Sequence, residues 1–182
     1  SGTRDARPRD ASPRPSSATT LAGSVALASA NGNVAFASTL TGTTAGAQNL
    51  RIAAGSGTLS FTGAVGATRL GSIDIDSAGD VVAPAITAAS LNQDSGTGMT
   101  TLNGPVDTDT AAGVTLTGTN LAVNAAIATT GSGVVTLTHS GTTTIAAAGD
   151  IVADGAVSVT ATLGITTAGD ITTTTDAIGY NS

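Results

Sequence analysis

GVVTLTHSGTTTIAAAGDIVADGAVSVTATLGITTAGDITTTTDAI, residues 133 to 178, decides the fold. Val135 and Leu137 flank Thr136, Val157 and Val159 flank Ser158, and each short alternation is stopped by glycine. Ala-Gly-Asp-Ile occurs at Ala148 to Ile151 and again at Ala168 to Ile171, an offset of 168 − 148 = 20 residues. Strict alternation puts apolar side chains on one side of an extended strand, and a repeat of about 20 residues stacks such strands into a β-solenoid.

Working outward, the same pattern begins near Leu21. Val25 and Leu27, Val34 and Phe36, Leu50 and Ile52, Leu59 and Phe61, and Ile73 and Ile75 each flank one residue. Gly32 to Phe36 pairs with Gly57 to Phe61, at 59 − 34 = 25, and Ile73 follows Leu50 at 73 − 50 = 23. A second series, Leu40, Val65, Ile86, Val106 and Ile127, advances by 25, 21, 20 and 21 residues, with Ile178 placed in it two coils later. These steps predict an all-β parallel β-helix of about seven coils, shortening from about 25 to about 20 residues, with two short strands per coil. Stacking at about 4.8 Å lets each coil satisfy its neighbours' backbone groups. Pro84 and Pro105 cannot donate to a central ladder and are placed at corners. The competing organisation is an antiparallel sandwich, which would use Asn31-Gly32 and Asn103-Gly104 as hairpin turns.

Composition agrees. Aromatics are 2% of the 182 residues and there is no Trp, so a wide core built on large rings is excluded. The six basic residues are all Arg and the twelve acidic ones all Asp; without Lys or Glu, ordinary exposed helix faces are not expected. Beyond residue 14 only Arg51 and Arg69 stand against ten Asp, an acidic body that argues against a nucleic-acid partner. There is no cysteine, and no apolar run is long enough to span a membrane as a helix. Residues 1–20, with Pro8, Pro13, Pro15 and four Arg, are read as a disordered Arg/Pro-rich segment, a linker rather than a basic arm for a polyanion. Residues 21–182 are the solenoid domain. The chain opens on Ser1 without a signal region, which suggests a fragment or processed product.

The stretches Gly32 to Gly42, Asn49 to Ile52, Gly57 to Val65 and Leu70 to Ile75 resemble the β-strand repeats of very large bacterial surface proteins related to filamentous haemagglutinin and autotransporter passengers. The resemblance covers residues 30 to 178 and rests on repeat style, not on a catalytic motif. It implies a right-handed parallel β-helix exported to the cell surface for adhesion or biofilm. The family's secretion domain and C-terminal barrel are not in this sequence.

Candidate chemistry is sparse. Asp74 with Asp76, and Asp107 with Asp109, each set two carboxylates on one face of a strand, the arrangement that can hold Ca²⁺ or serve as acid and base on a polysaccharide. The simpler reading is that inward Ile73 and Ile75 turn Asp74 and Asp76 into solvent. Asp80, Asp150 and Asp170 each follow Ala-Gly, as turn residues that cap local backbone groups. His139, the single histidine, is read as exposed at a corner and belongs to no triad, although Ser140 follows it. Outward Thr pairs at Thr115/Thr117, Thr136/Thr138, Thr142/Thr144 and Thr172/Thr174 resemble the faces of ice-binding solenoids, or are simply solvent-facing strand residues. No catalytic, cofactor-binding or metal-binding residue is therefore assigned, and no cofactor is expected. The expected role is a non-enzymatic structural or adhesive repeat segment, extracellular at the bacterial surface. Its partners would be neighbouring repeats of a longer chain and host-cell or matrix glycans or proteins. The alternative is a stand-alone ice- or glycan-binding module using the Thr ladders.

Overall fold

The computed structural model describes residues 17–182. Among them are 21 β-strands and no helix, so none is long and apolar enough to cross a membrane. Every strand pairing is parallel, which rules out the antiparallel sandwich. Asn31 does adopt a left-handed φ of 66°, but as a corner between strands of one coil, not as a hairpin.

Each coil visits three faces, one more strand than the sequence pattern predicted. The fifth coil runs Val106–Thr108, Val114–Gly118 and Asn120–Val123; the sixth runs Ile127–Thr129, Val135–His139 and Thr142–Ile145. Each strand lies beside its counterpart in the next coil, as Val114 on Val135 and Leu121 on Thr143. In the third and fourth coils the first two faces run together as the long strands Val65–Ser77 and Ile86–Gln93, which is why those faces share one 14-stranded sheet while the third is a separate 7-stranded one. Seven coils are complete, and Ile171–Thr173 with Ile178–Asn181 begin an eighth.

The predicted register holds from Leu40 through Val65, Ile86 and Val106 to Ile127. It then continues to Ile151 and Ile171, not to Ile178, which stacks on Val157 in the second-face series. Nor do the coils shorten steadily, since the step from Ile127 to Ile151 is 151 − 127 = 24 residues. The extra residues are absorbed at two corners, on either side of Thr142–Ile145, where no ladder constrains length.

The reason for the coil is in the columns. Leu50, Ile73, Leu91, Val114, Val135 and Val157 form one buried stack, and Leu40, Val65, Ile86, Val106, Ile127 and Ile151 another. Each inward residue covers the one below, so apolar area is removed from water on both sides of every coil at about 25 cal/mol per Å². Phe36 and Phe61 continue this on the third face, their rings stacked with centroids 5.0 Å apart and planes 8° from parallel. Pro84 and Pro105 lie outside the strands at the corner that leads into the first face, as expected of residues without an N–H. Gly66 is needed for two reasons: its φ is +87°, and a Cβ there would strike the carbonyl oxygen of Thr87 in the next coil.

The reading of residues 1–20 as disordered falls, for residues 1–16, outside the described residues. Its last two positions, Thr19 and Thr20, belong to the first strand and pair with Leu40 and Thr41.

Candidate functional site

The two carboxylate pairs have different surroundings, and both are occupied by arginine. Arg69 leaves the third coil, crosses the fourth and reaches the fifth. Its Nη1 donates to the carbonyls of Ala88 (2.7 Å) and Asp107 (3.2 Å). Its Nη2 lies 2.6 Å from Asp107 Oδ1 and its Nε 3.1 Å from Asp109 Oδ2. The guanidinium fork is thus shared between both members of the Asp107/Asp109 pair, where a cation would otherwise sit. Asp76 is the extra residue of a bulge, since Ile75 pairs with Ile52 and Ser77 with Ala53. Arg51 Nε donates to both its oxygens at 2.9 Å, and that hydrogen bond raises the Arg51 pKa above its ordinary value. Asp74 accepts from Ser72 Oγ at 2.7 Å. Asp74 and Asp76 do point away from the core as expected, but both are half-buried. Among the described residues no three His, Asp or Glu side chains gather closely enough to hold a metal ion.

Two of the three turn aspartates work across coils, not within their own turns. Asp80 Oδ1 accepts from Met99 N at 2.8 Å, and Asp150 Oδ1 from Asp170 N at 2.9 Å. Asn33, Asn49 and Asn120 do the same for Thr58, Ser72 and Thr142, all at 2.9 Å. A corner breaks the backbone ladder, and each carboxylate or amide oxygen replaces a carbonyl that the corner has turned away. Repetition of Asp and Asn at these places therefore reflects stacking.

His139 departs from expectation. It is 1% exposed, and neither ring nitrogen has a hydrogen-bond partner. Desolvation of the ring pushes its pKa from 6.5 down to about 4, so the imidazole is neutral at pH 7. Its position could have been read from the sequence: it shares the parity of Val135 and Leu137, both wholly buried. A ring sealed in the core cannot reach a solute, which removes it from any hydrolytic scheme. Thr143, the inward residue of the following strand, is likewise buried with its hydroxyl unpaired. Two coils earlier the interior polar groups are matched, Thr100 Oγ1 donating to Gln93 Oε1 at 3.0 Å beside a cavity of about 10 Å³. That volume is at the lower limit for one water molecule.

The threonine pairs fall into two groups. On the second face they are in register: Thr115, Thr136 and Ser158 form one column, and Thr117, Thr138 and Thr160 its neighbour. Asn92 precedes the first column, and Gly179 and Asn181 end them. Thr142 and Thr144 lie on the third face and Thr172 on the first, so they do not extend this array.

No family model matches the chain, and no curated protein or solved structure matches it either.

Proposed function

We propose that this chain is a non-enzymatic structural segment of a large exported bacterial surface protein, serving as an adhesive or spacing stalk. The observation that carries the reading is where the polar side chains are used. The Arg69 clasp, the Arg51–Asp76 pair and the Asp and Asn caps all join one coil to another and converge on no common cleft. Such a layout holds a rod together along its axis. The repeat style shared with filamentous haemagglutinin-like and autotransporter-passenger repeats supports placement outside the cell, against host or matrix glycans or proteins. The test is to read the coding sequence on both sides. Further coils of this register together with an export signal support the stalk; a complete, unexported reading frame of this length overturns it.

A second reading is favoured by one specific observation, the registered hydroxyl columns of Thr115/Thr117, Thr136/Thr138 and Ser158/Thr160. Strand spacing of about 4.8 Å sets a regular flat array that suits ice or a glycan. Thermal hysteresis or glycan binding that disappears in Thr136→Val/Thr138→Val would favour this module over the stalk.

A further inference from the structure

The third face is the one sheet into which no charge enters. Its seven strands, from Val34–Phe36 to Gly164–Thr167, contain no Asp, Arg, His or Tyr. The ionisable side chains of the described residues lie on the other two faces and at the corners. Asp80, at the corner that leads into the third face, has one carboxylate oxygen committed to Met99 N at 2.8 Å. The outward central column is short and uncharged: Ser60, Val82, Thr101, Ala122, Thr144 and Thr166 lie one above another. Val82 is 37% exposed, and Met99, two residues before Thr101 on the same side of the sheet, is 40% exposed. They are two of the six large hydrophobic residues exposed among the described ones, and they sit on adjoining strands, since Val82 pairs with Thr101. An exposed apolar pair, with Met among it, inside a sheet face free of charge has the composition of an interface centre.

We infer that this face is a contact between two copies of the chain, packed side by side, sheet on sheet. Charge selects both the occupant and the face. The described residues hold two Arg and ten Asp, a net 2 − 10 = −8 with His139 neutral. Two copies meeting on the second face would oppose Asp74 and Asp76 to their own kind, and on the first face Asp107. On the third face no carboxylate-bearing strand meets another. Short outward side chains let two sheets approach to about 10 Å. Seven strands at about 4.8 Å, each about five residues wide at about 3.3 Å, give a face of about 550 Å² per copy. The pair then covers about 1,100 Å², just above the roughly 1,000 Å² that a specific contact needs. The contact is isologous: a two-fold axis beside Val82 and Met99 lays the apolar pair of each copy on that of the other and closes the assembly at the dimer. Being lateral, it leaves the axial path of the coil free and holds whether or not further coils follow. It goes beyond the stalk reading, since it concerns what lies along the flank of the rod.

An interface near the lower size limit associates weakly, so the test is sedimentation equilibrium of the full chain from about 10 µM to about 1 mM. Three variants accompany it: Val82→Asp and Thr144→Asp on the third face, and Thr136→Asp on the second, each checked for retained β circular dichroism. Wild type should pass from monomer to dimer and stop there. Each third-face variant should dimerise at least about tenfold more weakly, because the new carboxylates are buried in an uncharged contact. Thr136→Asp adds the same charge elsewhere and should dimerise within about twofold of wild type. Raising salt from about 0.05 M to about 0.5 M should strengthen association by screening the repulsion between the acidic bodies. The methyl resonance of the single methionine, Met99, should shift as the dimer forms, and the ring of the single tyrosine, Tyr180, should not. A wild type that stays monomeric across the range, growth beyond dimers, equal weakening by Thr136→Asp, dissociation by salt, or a Met99 methyl that does not shift would each overturn the proposal.

Discussion

Acidification should weaken this solenoid through His139, and the size of the effect can be worked out. In the folded chain the ring is sealed from water and takes up a proton only near pH 4, whereas in the unfolded chain it does so near 6.5. The only cause of the shift is desolvation, with no charged group acting on the ring. Above pH 6.5 both states are neutral at this site and His139 contributes no pH dependence. Between 6.5 and about 4 the unfolded chain binds the extra proton, so stability falls as pH falls; below about 4 both states are protonated and the loss levels off. At about 1.4 kcal/mol per pH unit, the full loss is about 3 kcal/mol. The comparison is with His139→Leu, which keeps every other ionisable group and removes the ring. Denaturant unfolding of both proteins at pH 7.5, 5.5 and 4 should show the variant gaining on wild type by about 3 kcal/mol across the series. Proton NMR of the ring should give a midpoint near 4. Parallel pH profiles, or a midpoint near 6.5, would refute the reasoning.

Gly66→Ala should cost about 2 kcal/mol or more, because it adds both a strained φ and a clash with Thr87, while Gly179→Ala, with nothing within 4 Å of the added carbon, should stay within about 0.5 kcal/mol by thermal melting. Arg69→Gln should cost about 1 kcal/mol, since Asp107 and Asp109 are 54% and 43% exposed and solvent screens much of the attraction; a double-mutant cycle with Asp107→Asn measures the coupling. Calorimetric titration with Ca²⁺ should show no micromolar binding to the wild-type chain, because the Asp107/Asp109 pair already holds Arg69. Solution scattering from the monomer should fit a stack of roughly 34 to 38 Å, seven coils and part of an eighth at about 4.8 Å each.

Where inward positions are aliphatic, sequence and structure coincide. Val114, Val135 and Val157 announce their strands by alternation, and the aromatic pair Phe36 and Phe61 gives away its register at a separation of one coil. Beyond Phe61 the third face escaped for a physical reason. Its inward column starts with Val34 and Leu59 and continues through Val81, Thr100, Leu121, Thr143 and Ile165, so two of the last five members are Thr and the alternation disappears into the surrounding Thr and Ser. His139 was misplaced because its side-chain type was weighed above its parity. The Arg69 clasp was beyond reach: it joins residues 38 apart across two coils, and no local pattern records such a bond. The carboxylate pairs were legible as pairs, but their partner was not.

The corners have a consequence for what the chain can carry. Leu40 and Leu50 are ten residues apart and Ile86 and Leu91 five, yet both spans join the same two columns. Coil length is therefore free to vary wherever the path turns, because the columns fix only where a strand resumes. The corner of residues 43–47 shows the limit of that freedom: it is exposed throughout, and at its tip a side chain added to Gly46 would meet nothing within 4 Å. Thr44 N still bonds to Gln48 Oε1 at 3.0 Å, which holds the base of the turn. Gly46 N donates to the carbonyl of Arg69 in the next coil at 2.9 Å, so a foreign peptide spliced between Thr44 and Ala45 would keep that tie, and this turn then offers a display position on a scaffold that does not have to be redesigned around its cargo.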